Sequence, residues 1–164
     1  SLAGVDKDVM AKTINNYLLK NGRMVGFTLG DHKGTLLTSK HENSVAYDTN
    51  LAYIAATGKP CAVLIIVDAI SRKYFTGETS WLWDIDFGQL DREHVKKVIL
   101  CGKYVNDLAM RFDYTEIPGE KIVCCDTVPQ AVQALEADGS EELYVVTCFS
   151  DRDKLLGLVK KEEG

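Results

Sequence analysis

The chain has 164 residues, of which 46% are hydrophobic and 26% charged, and its formal net charge is −5. This length predicts one domain with a core of its own, and the composition excludes a disordered or fibrous chain. The acidic balance, without a cluster of Lys and Arg, argues against nucleic acid as a partner. The longest apolar stretch, residues 61–67, is far too short for a membrane span.

The chain begins Ser1-Leu2-Ala3-Gly4, without an initiating methionine. We therefore expect residues 1–164 to form a single domain that is part of a longer protein. No signal-peptide pattern is visible in the sequence, so we expect that protein to be cytoplasmic.

The first half of the chain mixes helix and strand patterns. Residues 5–20 place apolar side chains near helical spacing, and residues 43–57 predict a second helix that ends at Gly58. Between these helices the sequence predicts a hairpin with two strands and a polar connector, at residues 24–29, 35–38 and 31–34.

The second half alternates strands with helices. After a continuous apolar run at residues 61–67, which is typical of a strand buried on both faces, further strands are predicted at residues 98–101, 121–125 and 143–147. Helices follow them: one from Gly102 through Arg111, one with Thr127 as its cap, and one that Ser150 caps and that runs to about residue 160. This alternation predicts an α/β, Rossmann-like three-layer fold with a mainly parallel sheet.

Neither of the two common nucleotide-binding signatures occurs: the sequence has no G-x-x-x-x-G-K-[ST] phosphate loop and no G-x-G-x-x-G. We therefore expect that the domain does not hold ATP unaided. Ligands of parallel sheets collect at the carboxyl ends of the strands, so the loops after residues 67, 101, 125 and 147 are the expected place for a site. The longest of these loops is residues 68–80.

The cysteines and histidines give no pattern of a metal or nucleophile site, so we expect no metal. The five cysteines lack C-x-x-C spacing, and we expect buried apolar residues rather than ligands or disulfides. Cys101 precedes Gly102 at a strand end, but no general base is near it in sequence. We expect surface positions for the histidines, which are His32, His41 and His94.

The most distinctive stretch is residues 77–87, here called the tryptophan segment, with both tryptophans of the chain and three carboxylates. In one interpretation Trp81 and Trp83 pack the loop onto the sheet while the carboxylates are solvated or act as caps. In the other, a carboxylate from the set Glu78, Asp84 and Asp86 orients a histidine or binds a cation.

At these residues the chain resembles a known family, the MurT C-terminal domain. The resemblance rests on four matches in order and approximate spacing, of which the tryptophan segment is the specific one: residues 21–24 (NGRM), 78–87 (ETSWLWDIDF), Gly102 with 108–114 (LAMRFDY), and the strand ending at Thr147. It covers roughly residues 10–160. It implies a domain of the Mur ligase C-terminal type.

The resemblance further implies an activity for the parent protein. A central domain, absent from this chain, carries ATP and Mg²⁺, and a GatD-like class I glutaminase supplies ammonia from glutamine. The synthetase activates the α-carboxylate of D-glutamate in lipid II, and ammonia converts it to D-isoglutamine. No cofactor is expected on this chain alone.

The resemblance also implies site residues. Glu78 matches an aspartate, three residues before the first tryptophan, that completes the glutaminase's Cys-His pair as a triad; Asp84 is the alternative acid. Residues expected on the substrate side, the ATP side or an interface are Asn43, Ser80, Trp81, Lys103 and Arg111. Lys103 and Arg111 are candidate anion contacts, with solvated helix-surface charges as the alternative.

Four departures from the family pattern set this chain apart. Glutamate replaces aspartate at position 78, the run at residues 76–78 is one residue shorter, residues 43–48 lack a Pro and a Gly, and Tyr104 stands where an arginine is usual. Two alternatives therefore remain. One is a Mur-type amino-acid ligase that needs no glutaminase, and the other is a non-catalytic interaction module that docks through residues 81–87.

Overall fold

The computed structural model describes residues 23–70 and 77–162. Within those residues seven strands form one sheet in the order β5-β4-β3-β6-β2-β1-β7. The strands are β1 (Met24–Leu29), β2 (His32–Ser39), β3 (Cys61–Ile66), β4 (Val95–Cys101), β5 (Ile122–Cys125), β6 (Glu142–Cys148) and β7 (Lys160–Lys161). Strands β2 to β6 are mutually parallel, whereas β1 is antiparallel to β2 and to β7. The predicted α/β fold with a mainly parallel sheet is confirmed; the helix predicted at residues 5–20 lies outside the described residues.

Four α-helices among the described residues cover the two faces of the sheet. They are α1 (Ser44–Thr57), α2 (Val105–Phe112), α3 (Val128–Ala137) and α4 (Phe149–Leu156). Buried residues of α1 and α2 belong to one hydrophobic core, and those of α3 and α4 belong to the other. The helices and the sheet therefore make the three predicted layers.

Strand β3 lies near the middle of the sheet, and all six of its residues are buried. Its side chains alternate between the two cores: Val63 and Ile65 point to the α1 and α2 side, whereas Ala62, Leu64 and Ile66 point to the α3 and α4 side. A strand with apolar side chains on both faces has no amphipathic pattern, which is why its sequence is a continuous apolar run.

The predicted starts of two helices, near Asn43 and at Thr127, are confirmed. The Asn43 side chain accepts a hydrogen bond from the Ala46 backbone N–H at 3.2 Å and starts α1, which Gly58 ends with a φ of 71°. The Thr127 hydroxyl accepts from the Gln130 N–H at 3.4 Å and starts α3.

Three boundaries differ from the prediction. The hairpin turn lies at Gly30-Asp31, with a Gly30 φ of 57°, and β2 already begins at His32. The cap of α4 is Cys148 rather than Ser150, whose hydroxyl donates instead to the Ala69 carbonyl at 3.2 Å. Helix α4 also ends at Leu156, because the chain then turns into β7 and pairs with β1.

The cysteine prediction holds in part. All five cysteines are free; Cys61, Cys101 and Cys148 are buried, and Cys125 is half-buried. The prediction is wrong for Cys124, which is exposed because β5 is the edge strand of the sheet. Burial raises the pKa of the Cys101 thiol to about 12, so this residue is a protonated core thiol at neutral pH rather than a nucleophile.

Gly102 provides a test of how closely the strand ends approach each other. Its φ is +112°, and a Cβ at this position would lie 2.4 Å from the backbone carbonyl oxygen of Val67. We predict that Gly102→Ala lowers the free energy of unfolding by more than about 2 kcal/mol in urea titrations. At Gly119 a Cβ meets nothing within 4 Å, so Gly119→Ala is the control, expected to stay within about 0.5 kcal/mol. Equal losses in the two variants would contradict the close approach.

Candidate functional site

The carboxyl ends of β3, β4 and β6 are joined by a fully buried carboxylate, Asp151, in the first turn of α4. Its Oδ2 accepts the backbone N–H groups of Asp68 and Ala69 at 2.9 and 3.0 Å, and its Oδ1 accepts from Lys154 Nζ at 2.8 Å. A buried carboxylate is stable only when such donors replace water. Asp151 therefore fixes the backbone where the chain leaves β3.

Asp68 and Lys154 extend this contact to β4. Lys154 Nζ also donates to Asp68 Oδ2, and Asp68 Oδ1 accepts the Lys103 backbone N–H at 2.7 Å. The hydrogen bond from Lys154 is the main cause that lowers the pKa of Asp68. Burial lowers the pKa of Lys154, but the hydrogen bonds to Asp151 and Asp68 outweigh it and raise that pKa. We call Asp68, Asp151 and Lys154 the carboxylate network.

The sequence predicts a site in these loops but does not predict the carboxylate network. Asp68 and Asp151 are 83 residues apart, and no motif links them. The one local signal was the spacing of Asp151 and Lys154, an acid and a base at i and i+3 in the helix that follows a buried strand.

The crossover from β3 to β4 carries the tryptophan segment over the α1 and α2 face of the sheet. Two 3-10 turns form its described part, Ser80–Asp84 and Phe87–Leu90. Trp81 is buried against Tyr47 of α1, with ring centroids 5.4 Å apart, and the Asp48 carboxylate accepts the Asp86 N–H at 2.9 Å. The segment is thus attached to α1 by packing and by a hydrogen bond.

Arg111 braces the same segment from α2. Its Nη2 donates to the Ile85 carbonyl at 2.8 Å, and its guanidinium lies 5.6 Å from the Trp83 ring centroid and 5.8 Å from that of Phe87. These contacts make Arg111 a positioning residue, because its planar group is used within the domain. Trp83, unlike Trp81, is half exposed.

The two candidate acids lie at opposite ends of the first 3-10 turn. Glu78 is half-buried, and its Oε1 accepts the Ser80 backbone N–H at 2.7 Å. This local contact orients the carboxylate at the start of the turn. Asp84, at the end of the turn, is exposed. The triad role of Glu78 stays a prediction.

The remaining predicted residues are not brought together into one cluster. Asn43 caps α1, and Ser80 is exposed and uses its N–H on Glu78. Lys103 gives its N–H to Asp68, while its exposed side chain lies over the Tyr104 ring at 5.3 Å. Each residue thus has a local structural partner at a different place on the carboxyl side of the sheet.

A cavity of about 440 Å³ that the sequence analysis missed lies beside the ends of β2 and β6. Its lining joins three basic side chains to an aromatic ring: Arg23, Lys40, His41 and Phe149. The backbone at His41 has a φ of 57°, and the His41 carbonyl accepts a hydrogen bond from the Cys148 thiol at 3.3 Å. This chemistry suits an anionic group with an apolar part.

The described residues contain neither a metal-binding cluster nor a membrane-spanning helix. Within residues 23–70 and 77–162, no group of three or more His, Cys, Asp or Glu side chains is arranged to hold a metal ion. No helix in those ranges has the length and apolar character required to cross a bilayer.

Among the histidines, His41 is exposed, and the half-buried His94 lies with its Nε2 3.3 Å from the Ile54 carbonyl.

The carboxylate network leads to a stability prediction. Asp151→Ala removes three hydrogen bonds of a buried group, so we expect the free energy of unfolding to fall by about 2–4 kcal/mol. Lys154→Met leaves Asp151 without its cation, and a double-mutant cycle in urea should give a clear coupling energy. Arg152→Ala, which breaks the exposed pair with Asp153, is the control and should cost at most about 1 kcal/mol.

The pH dependence of Asp68→Asn gives a second readout of the network. Because the folded-state pKa of Asp68 lies below its unfolded value, its pairing stabilises the fold above about pH 4 and is lost as the pH falls through the folded pKa. The stability difference between Asp68→Asn and the parent chain should therefore be present at pH 7 and shrink below pH ~4. A difference that does not change with pH would contradict the ion pair.

Comparisons of the sequence with known proteins identify the family of this chain. A sequence model of the MurT ligase C-terminal family matches residues 41–151, from the turn before α1 to Asp151. The chain is also 24% identical over 148 residues to the subunit MurT of lipid II isoglutaminyl synthase (glutamine-hydrolyzing) from Streptococcus pneumoniae (strain ATCC BAA-255 / R6). That alignment covers 90% of this chain and 32% of the relative, so the chain spans about a third of the relative's length. The chain belongs to the MurT ligase C-terminal family.

Proposed function

We propose that this chain is the C-terminal domain of a MurT-like subunit of a glutamine-dependent, ATP-driven amidotransferase. In this proposal the parent protein amidates the α-carboxylate of D-glutamate in lipid II, and a GatD-like class I glutaminase supplies the ammonia. The observation that carries it is the tryptophan segment, which holds Glu78 ahead of a turn braced by Trp81 and Arg111. The name of the pneumococcal relative, a glutamine-hydrolyzing synthase subunit, supports it.

The proposed role of Glu78 is to complete the triad of the glutaminase. A carboxylate that accepts the N–H of a histidine fixes the imidazole tautomer and stabilises the imidazolium that forms when a cysteine thiol is deprotonated. A carboxylate has about four acceptor positions, so the hydrogen bond from Ser80 is compatible with a second donor. Glutamate is one methylene longer than aspartate and carries the same charge.

We propose that the cavity of about 440 Å³ beside the ends of β2 and β6 faces ATP or the substrate. The proposed central domain of the parent protein holds ATP and Mg²⁺, and bound ATP supplies the phosphoryl group that activates the substrate carboxylate. Arg23, Lys40 and His41 fit an anionic group of ATP or of the substrate, and Phe149 offers an apolar surface beside it. The carboxylate network holds the neighbouring start of α4 in place.

Glutamine hydrolysis by the complex of the full-length protein with its glutaminase tests the triad role. We predict that Glu78→Ala and Glu78→Gln lower kcat for glutamine hydrolysis by about 10²–10⁴-fold, because both remove the charge that orients the imidazole. Glu78→Asp should retain activity within about tenfold. Asp84→Ala is the matched control, since Asp84 is the exposed acid at the other end of the turn.

Two results would redirect the proposal. Unchanged turnover in Glu78→Ala together with a large loss in Asp84→Ala would transfer the role to Asp84. Unchanged turnover in both variants would remove the triad role. One alternative is a Mur-type ligase without a glutaminase, and the replacement of the family's aspartate by Glu78 favours it. ATP hydrolysis that depends on an added amino acid and does not respond to glutamine or ammonia would support this alternative.

A further inference from the structure

Two buried polar side chains lie next to the basic cavity, as we call the cavity of about 440 Å³ lined by Arg23, Lys40, His41 and Phe149. The Tyr47 hydroxyl lies 3.5 Å from Cys148 Sγ, and that thiol donates a hydrogen bond to the His41 carbonyl oxygen at 3.3 Å. Tyr47 and Cys148 are 0% and 3% exposed. We call these two residues the hydroxyl–thiol pair. Polar groups this deeply buried are stable only when their protons have acceptors.

The direction of both hydrogen bonds follows from the protonation state of the pair. Burial raises the pKa of the Cys148 thiol to about 12 and also raises the pKa of the Tyr47 hydroxyl, so both groups keep their proton at neutral pH. A carbonyl oxygen only accepts, so the single thiol proton points at His41. The Tyr47 hydroxyl therefore donates to the Cys148 sulfur, and the two hydrogen bonds form a chain that ends at the His41 backbone.

His41 has a backbone conformation that its residue type disfavours. Its φ of 57° is the one positive φ of a non-glycine residue within residues 23–70 and 77–162. The Cβ of an L-residue meets steric repulsion in this left-handed region, so surrounding contacts must hold the residue there. The His41 carbonyl has two such contacts, because it accepts the Asn43 N–H at 2.9 Å as well as the Cys148 thiol.

The conformation of His41 determines where its imidazole lies. His41 belongs to the short connection between β2 and α1, and its exposed side chain lines the basic cavity beside Lys40. Cys148 also precedes Phe149, the aromatic residue of the same lining. The hydroxyl–thiol pair thus supports this lining from inside the core.

We infer that the hydroxyl–thiol pair positions the His41 imidazole for contact with the anionic group that binds in the basic cavity. This inference rests on the proposed function, because the anion is taken from there, as a phosphate of ATP or a charged group of the substrate. Cys148 acts through the His41 carbonyl and Tyr47 acts through Cys148, so both are positioning residues. Without the thiol donor the His41 backbone relaxes out of the left-handed region, and the imidazole moves away from the anion.

The experiment measures KM and kcat of the full-length complex for ATP and for lipid II in separate titrations, with ammonium as the nitrogen source so that glutamine hydrolysis is not needed. Cys148→Ala should raise one of the two KM values by about 3–10-fold, the effect of one hydrogen bond, with kcat near the parent value. Cys148→Ser keeps a donor and should restore most of the loss. Tyr47→Phe keeps the ring that packs on Trp81 and should raise the same KM by a smaller factor.

A double variant tests whether the thiol acts through His41. His41→Ala removes the imidazole, so the addition of Cys148→Ala to that variant should raise the KM no further. Cys61→Ala is the matched control, because Cys61 is a buried thiol of the same core at the opposite end of the sheet. It should leave both KM values unchanged, and thermal melting shows how far each variant is destabilised.

The outcomes separate the positioning role from the proposed function. A KM that Cys148→Ala raises, Cys148→Ser restores and Cys61→Ala leaves unchanged supports the positioning role. Equal increases in Cys148→Ala and Cys61→Ala overturn it. A KM that responds to His41→Ala but not to Cys148→Ala also overturns it, while the ligand role of the basic cavity stands. If His41→Ala and Arg23→Ala both leave the two KM values unchanged, the ligand role of the cavity and this inference are overturned together.

Discussion

The fold depends on one buried charge, the Asp151 carboxylate, at the point where three parallel strands end. It binds two consecutive backbone N–H groups of the loop after β3 and the ammonium group of Lys154, which also binds Asp68. Asp68 in turn accepts a hydrogen bond from the backbone that follows β4. The Asp151 side chain therefore fixes the backbone at the carboxyl ends of β3 and β4. A carboxylate that is 0% exposed requires all of these donors, so the loop has little freedom at its start.

This constraint fixes the start of the crossover after β3, and Trp81 and Arg111 determine where the tryptophan segment lies. In most parallel sheets an α-helix covers the crossover between neighbouring strands. Here the described part of the crossover from β3 to β4 contains two short 3-10 turns instead. Because a short turn buries fewer side chains than a helix, Trp81 and Phe87 supply the buried area while Trp83 remains at the surface. The same arrangement thus yields both a firm core contact and an exposed aromatic ring.

Local signals in the sequence predicted what local interactions determine. The continuous apolar run of β3, the start of a helix near Asn43 and the cap Thr127 depend on neighbours within a few residues, and these predictions held. Ser150 has the residue type of a cap, but its hydroxyl donates to the carbonyl of Ala69, 81 residues away, and α4 begins at Phe149 with Cys148 as its cap. The hydrogen bond from the Asp68 backbone N–H to Asp151 could not be predicted from the sequence either, because only the sheet order brings β3 and β6 together.

Sheet position likewise explains the remaining differences. Cys124 has apolar neighbours in sequence, yet it is exposed because β5 has a partner on one side alone within the described sheet. The two-residue strand β7 consists of two lysines and carries no apolar pattern, so its pairing with β1 had no sequence signal. For the site, the family resemblance directed attention to Glu78, but the residues that hold the segment in place came from the structure.

A structure of the full-length protein in complex with the proposed glutaminase and a glutamine analogue tests directly whether Glu78 completes a triad. We expect a Glu78 carboxylate oxygen to lie about 2.6–3.2 Å from a ring nitrogen of the glutaminase histidine that contacts the reactive cysteine. The Ser80 N–H should still donate to the same carboxylate. A Glu78 carboxylate that faces solvent, with the glutaminase bound to another face of the domain, would contradict the triad role of Glu78.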